Sequence, residues 1–190
     1  ALCISVGTYM ADATLSAAEA NTDTCFAIVD FSWGSYPDNL RGMVFAPDEA
    51  AYMAGTLAGL ITESDLIGAI GGMPVPSVDD YVDGYRNGAQ CSNPNVTVAI
   101  SYTYDFGNPA LGAEFAQGMI AEGADVIFAP AGYTGVGAVL TATQSGAWGI
   151  GVDTDYYETA FDRGAVTGSE RLLSSAIKRM DNAVFDTIGD

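Results

Sequence analysis

Six apolar or small residues, Ala147-Trp148-Gly149-Ile150-Gly151-Val152, end abruptly in Asp153-Thr154-Asp155. A short apolar run broken only by glycines reads as a strand buried on both faces, the kind found in parallel sheets covered by helices. Its acidic end puts carboxylates at the carboxyl edge of such a sheet, where open α/β folds bind ligands. The rest of the chain keeps the alternation that such a sheet needs. Spacing predicts strands over Leu2–Val6, Cys25–Asp30, Gly42–Phe45, Leu66–Ile70, Val96–Tyr102, Val126–Ala129 and Gly149–Val152. It predicts helices over Pro47–Thr62, Val78–Cys91, Ala110–Glu122, Val136–Ser145 and Leu172–Thr187. In the first helix Pro47 suits the opening turn and Asp48 and Glu49 complement the dipole, while Ala50, Met53, Ala54, Leu57 and Ile61 form an expected core stripe. The fold class is therefore α/β with doubly wound parallel sheets. The polar stretch Tyr156–Arg171 lacks a period and reads as a crossover.

Charge narrows the partners. Twenty-four acids against six Lys and Arg leave a net charge of -18, which opposes binding to a phosphate backbone and to anionic lipid. Nucleic acid is excluded as a partner on this ground. Cys3, Cys25 and Cys91 are an odd number without C-x-x-C spacing, so they are expected as core residues, with one bridge between two of them left open. No stretch is long enough to span a membrane, and the first residues lack the regions of a signal peptide. The chain opens inside an apolar strand, so its natural beginning is expected further upstream.

Four loops follow the central strands: Gly71-Gly72-Met73-Pro74, Tyr104 to Pro109, Ala131-Gly132-Tyr133-Thr134-Gly135 and Asp153-Thr154-Asp155. In a parallel sheet they emerge together. Glycine lets backbone approach a ligand, Phe106 offers a ring for stacking, and Asp153 can accept from two neighbouring hydroxyls. That set suits a base joined to a sugar. Each residue also has a plainer reading: Gly132 as turn geometry, Phe106 as loop packing, and Asp153 or Asp155 as a helix cap.

Catalytic machinery is hard to assemble from this chain. It has no histidine and a single lysine, Lys178, so neither a Ser-His-Asp arrangement nor a His-containing metal cluster is available. Asp79, Asp80 and Asp83 read as a solvated helix start. Asp153 and Asp155 form a D-x-D pair able to meet Mg²⁺, a pattern too common to carry a metal assignment. No cofactor is implied.

A series of motifs, in order, resembles one family. It comprises Ser5 to Ala13, Leu66-Ile67-Gly68-Ala69-Ile70-Gly71-Gly72-Met73, Tyr85-Arg86-Asn87-Gly88-Ala89, Asn93-Pro94-Asn95-Val96, Gly123 to Phe128, Ala131 to Gly135, Gly149 to Asp155 and Ser174 to Asp181. Together they are similar to the basic-membrane-protein family of substrate-binding lipoproteins. The resemblance implies a type I periplasmic-binding-protein fold of two α/β lobes that captures a purine nucleoside for an ABC permease, outside the cytoplasm. Membrane contact would come only through a lipid anchor beyond this chain. It implies that Asp153 holds ribose hydroxyls, Lys178 reaches the cleft, Phe106 lies in the base-stacking region and Gly132 lies in the turn nearest the ligand. Two departures from the family pattern stand out, Tyr133 in place of a second glycine and Pro74 in place of an acid. The family is longer at both ends, so residues 1–45 are expected as part of the first lobe, 46–164 as a nearly complete second lobe and 165–190 as the return to the first. Two rival functions are a cytoplasmic ligand-sensing regulator on the same fold and, ranked last, a metal-dependent hydrolase.

Overall fold

A computed structural model describes residues 1–189; Asp190, the last residue of the expected return segment, lies outside them. The chain forms two compact units. The first comprises Ala1–Phe45 and the segment that starts at Arg179, and the second comprises Ala46–Lys178.

In the first unit, strands β1 (Leu2–Val6), β2 (Cys25–Val29) and β3 (Leu40–Met43) form a parallel sheet in that order. Alternation of side chains explains how both faces of β2 are covered. Phe26 packs with Ala18 of helix α1 (Ala11–Ala20) and with Leu40. Ala27 and Val29, on the opposite face, pack with Met43 and with Met180, Ala183 and Val184, which belong to the last helix of the chain.

The second unit holds β4 (Leu66–Gly71), β5 (Thr97–Tyr102), β6 (Val126–Phe128), β7 (Trp148–Asp153) and β8 (Leu172–Ile177), all parallel, in the order β5-β4-β6-β7-β8. Helices α2 (Pro47–Ile61), α3 (Pro76–Ser92), α4 (Pro109–Ala121), α5 (Gly132–Gln144) and the short α6 (Tyr156–Thr159) accompany it. Consecutive residues of β4, β6 and β7 are buried, as a sheet covered on both faces requires. This is the α/β parallel architecture expected.

Four expectations are corrected. The segment predicted as one helix over 172–187 is strand β8 followed by helix α7 (Met180–Gly189). Because β8 hydrogen-bonds to β7, residues 165–178 belong to the second unit rather than to a return segment. In α2 the buried face is Ala51, Ala54, Gly55, Ala58 and Gly59, whereas Met53 is 68% exposed. The cause is close contact with α3: a methyl group on Gly55 would meet the Tyr85 carbonyl, and one on Gly88 would meet the Tyr52 carbonyl. Backbones this near leave the small residues inside and turn Met53 out. The three cysteines are exposed, not core.

Candidate functional site

Parallel strands send every following loop to one side of the sheet, so the carboxyl edge of the second unit collects the loops after β4 to β8. Asp153 ends β7 with φ at +64°, in the left-handed region. A non-glycine residue held there marks a site that its surroundings enforce. Its carboxylate Oδ1 accepts from the Tyr81 hydroxyl at 3.2 Å and lies 3.0 Å from Lys178 Nζ. Lys178 is 8% exposed, while the Asp153 side chain keeps 34% of its surface open. The carboxylate is thus anchored on one oxygen and still reachable.

The register of the last two strands brings this pair together across 25 positions of sequence. Gly149 pairs with Leu172 but Ile150 pairs with Ser174, so β8 carries one extra residue at a bulge. A one-residue shift moves every later side chain of a strand to the other face. With the shift, Asp153 pairs with Ile177, and the Lys178 amide donates to the Asp153 carbonyl at 2.9 Å. Lys178 therefore follows directly on the ladder beside Asp153.

Tyr81, buried on α3, completes this group. The Lys178 ammonium lies 5.3 Å from its ring centroid, and the ring meets Phe128 edge-on at 6.0 Å. Nothing in the sequence singled Tyr81 out, since an aromatic on the inner face of a helix reads as core. Its one distinguishing mark is a hydroxyl, which a buried tyrosine must satisfy. Asp155, by contrast, caps α6 by accepting from the Tyr157 amide at 2.9 Å. Between them Tyr156 is buried, and burial first, then the Asp153 charge, push its phenol pKa up.

Phe106 and Gly132 form a second group on the same edge. The Phe106 ring lies against Gly72, where any β-carbon would overlap it. Gly132, at φ +57°, sits beneath the Phe106 carbonyl, with space for a β-carbon only at 3.0 Å from that oxygen. Gly72 leaves room for the Phe106 ring, and the left-handed φ of Gly132 together with this close approach favours glycine there. The three loops are tied together: the Gly72 amide donates to the Pro130 carbonyl at 3.0 Å, the Thr134 amide to the Phe106 carbonyl at 3.2 Å, and the Asn108 amide to Thr134 Oγ1 at 2.9 Å. Phe106 is therefore held in place while staying half-exposed. Tyr104 and Tyr133 stand exposed beside it.

Two of the three acids of α3 have side-chain partners, while burial and then the neighbouring acids Asp48, Asp79 and Asp83 push the Asp80 carboxyl pKa up. Asp79 accepts from the Tyr102 hydroxyl at 2.6 Å, and Asp83 pairs with Arg86 at 2.6 Å. Among the described residues no three His, Cys, Asp or Glu side chains converge as a metal site, and no helix is long and apolar enough to cross a membrane. What the edge offers is a carboxylate, an ammonium and an aromatic plane. These suit recognition of a ligand bearing hydroxyls and a flat ring.

Comparison with known proteins agrees with this architecture. The family described as ABC transporter substrate-binding protein PnrA-like matches residues 1–188. The nucleoside-binding protein BmpA of an ABC transporter from Lactococcus lactis is 33% identical over 194 residues, covering 97% of this chain and 55% of that protein. Basic membrane protein B of Borreliella burgdorferi is 30% identical over 190 residues, covering 97% of this chain and 53% of that protein. The chain spans about half the length of the curated relatives it matches. Among solved structures, a solute-binding protein of an ABC transporter system from Aeropyrum pernix superposes with a TM-score of 0.87 at 26% identity, covering 100% of this chain and 54% of that one. The architecture is the type I periplasmic-binding-protein fold.

Proposed function

The chain belongs to the family of PnrA-like ABC transporter substrate-binding proteins, and from that premise we propose that it captures a purine nucleoside for import, outside the cytoplasm and without chemical change. The family is one of binding proteins rather than enzymes. The observation that carries the reading is the pairing of Asp153 with Lys178 on the same sheet edge as Phe106 packed over Gly72. In this reading Asp153 accepts from the ribose, Lys178 holds that carboxylate in place, Phe106 stacks on the base, and the turn at Gly132 lets backbone come close. A charged hydrogen bond and a stacking ring suffice for specific capture.

The name of the Lactococcus lactis relative supports the ligand class. The two compact units are, in this proposal, parts of the two lobes, the partner is an ABC permease, and any membrane attachment is a lipid anchor beyond these residues. Calorimetric titration with adenosine, guanosine and inosine, set against pyrimidine nucleosides and free ribose, tests the ligand. A purine nucleoside is expected to bind with Kd of about 1 µM or tighter, about -8 kcal/mol. Binding of ribose alone, or of no purine nucleoside, would overturn it.

A further inference from the structure

Both partners of the Asp153 carboxylate among the described residues fall on Oδ1: the Tyr81 hydroxyl at 3.2 Å and Lys178 Nζ at 3.0 Å. Each carboxylate oxygen has about two acceptor directions. Those of Oδ1 are therefore taken before a ligand arrives. Clasping two neighbouring hydroxyls, one on each oxygen, needs a vacant direction on Oδ1 as well as on Oδ2.

We propose that Tyr81 is a specificity-determining residue: by occupying Oδ1 alongside Lys178, it leaves Asp153 to meet one ligand hydroxyl through Oδ2, so that the site accepts a sugar with a single hydroxyl there nearly as well as a vicinal diol. The inference rests on the nucleoside reading above and deepens it. Tyr81 acts through Asp153, not by touching the ligand, and three features fit that role. It is 2% exposed, its ring is fixed against Phe128, and the same ring faces the Lys178 ammonium. Replacing only the hydroxyl thus frees an acceptor direction without removing the packing or the ring that Lys178 faces.

The test is a set of calorimetric titrations of the protein and its Tyr81→Phe variant with a purine ribonucleoside and its 2′-deoxy counterpart. The unaltered protein is expected to bind the two within about threefold. In Tyr81→Phe the preference for the ribonucleoside is expected to rise about tenfold, the scale of one hydrogen bond to a charged group. A loss of general packing would weaken both ligands alike and leave the ratio unmoved, and an unmoved ratio overturns the proposal. So does a preference for the ribonucleoside above about thirtyfold in the unaltered protein, which would show that both hydroxyls are already clasped. Failure to bind either nucleoside overturns the nucleoside reading and this inference with it, whereas an unchanged ratio with tight binding overturns this inference alone.

Discussion

Two carboxylates sit at opposite edges of the five-stranded sheet and are satisfied in opposite ways. At the amino edge, just ahead of β6, Asp125 accepts from the Thr62 hydroxyl at 2.6 Å and from the Glu63 and Ser64 amides at 2.7 and 3.0 Å. Three donors from one turn absorb the charge. At the carboxyl edge Asp153 has two side-chain partners, Tyr81 and Lys178, and a left-handed backbone. One arrangement finishes a turn. The other holds a carboxylate ready, at some cost in strain and in the burial of Lys178, which is what a binding site needs and a turn does not. The residue type is the same, so the difference lies in where the donors come from and how much acceptor capacity is left.

Substitutions should separate the two edges. Asp153→Ala is expected to weaken nucleoside binding by about 2 to 4 kcal/mol, the cost of truncating a buried hydrogen-bonded charge partner; unchanged affinity in calorimetry would remove it from the site. Asp125→Ala should do the reverse, lowering stability by about 2 kcal/mol in denaturant unfolding through its lost amide and hydroxyl bonds. An affinity loss as large as that of Asp153→Ala would erase the distinction. Phe106→Leu should cost about 1 kcal/mol of binding through lost stacking. Gly72→Ala, which displaces the Phe106 ring, should cost a similar amount in the native protein and little once Phe106 is Leu.

The smallest effects concern tyrosine hydroxyls. Tyr102 is pushed up to about 12 by burial and then by its hydrogen bond to Asp79, and burial also pushes Tyr85 and Tyr156 up. Since the folded state then holds protons that the unfolded chain releases above about 10, stability should be complete below that pH and fall as pH rises toward 12. Alkaline titration of phenolate absorbance against unfolding checks this, and ionisation of every tyrosine in the folded state would contradict it. The Tyr85 hydroxyl, fully buried beneath the stacked Phe128 ring, has no hydrogen-bond partner among the described residues. Tyr85→Phe should therefore leave stability unchanged or raise it by up to about 1 kcal/mol in chemical denaturation.

Much of the fold was legible in the sequence, and its gaps have physical causes. The central strands announced themselves because burial on both faces forces continuous apolar runs, as in Val126–Phe128 and Trp148–Asp153. Strand β8 is an edge strand with a mixed burial pattern, so Leu172–Ile177 shows no such run and was absorbed into the helical period of α7. The inner face of α2 is hidden in the sequence because glycine and alanine carry little hydrophobic signal, while their small size is what permits the contact with α3. At the site, Asp153 was visible as an acid ending an apolar strand. The family pattern, rather than local spacing, pointed to Lys178, since its place depends on a bulge in β8. Tyr81 was invisible for the reason that buried aromatics usually are: only its hydroxyl, not its burial, distinguishes it.

The central claim is that Asp153 and Lys178 act together in holding a ligand. A double-mutant cycle of Asp153→Asn and Lys178→Met, read by calorimetry with a purine nucleoside, tests it most directly. Groups 3.0 Å apart in one network should show non-additive losses, with a coupling of about 1 kcal/mol or more. Additive losses, each variant weakening binding as if the other were absent, would contradict the account.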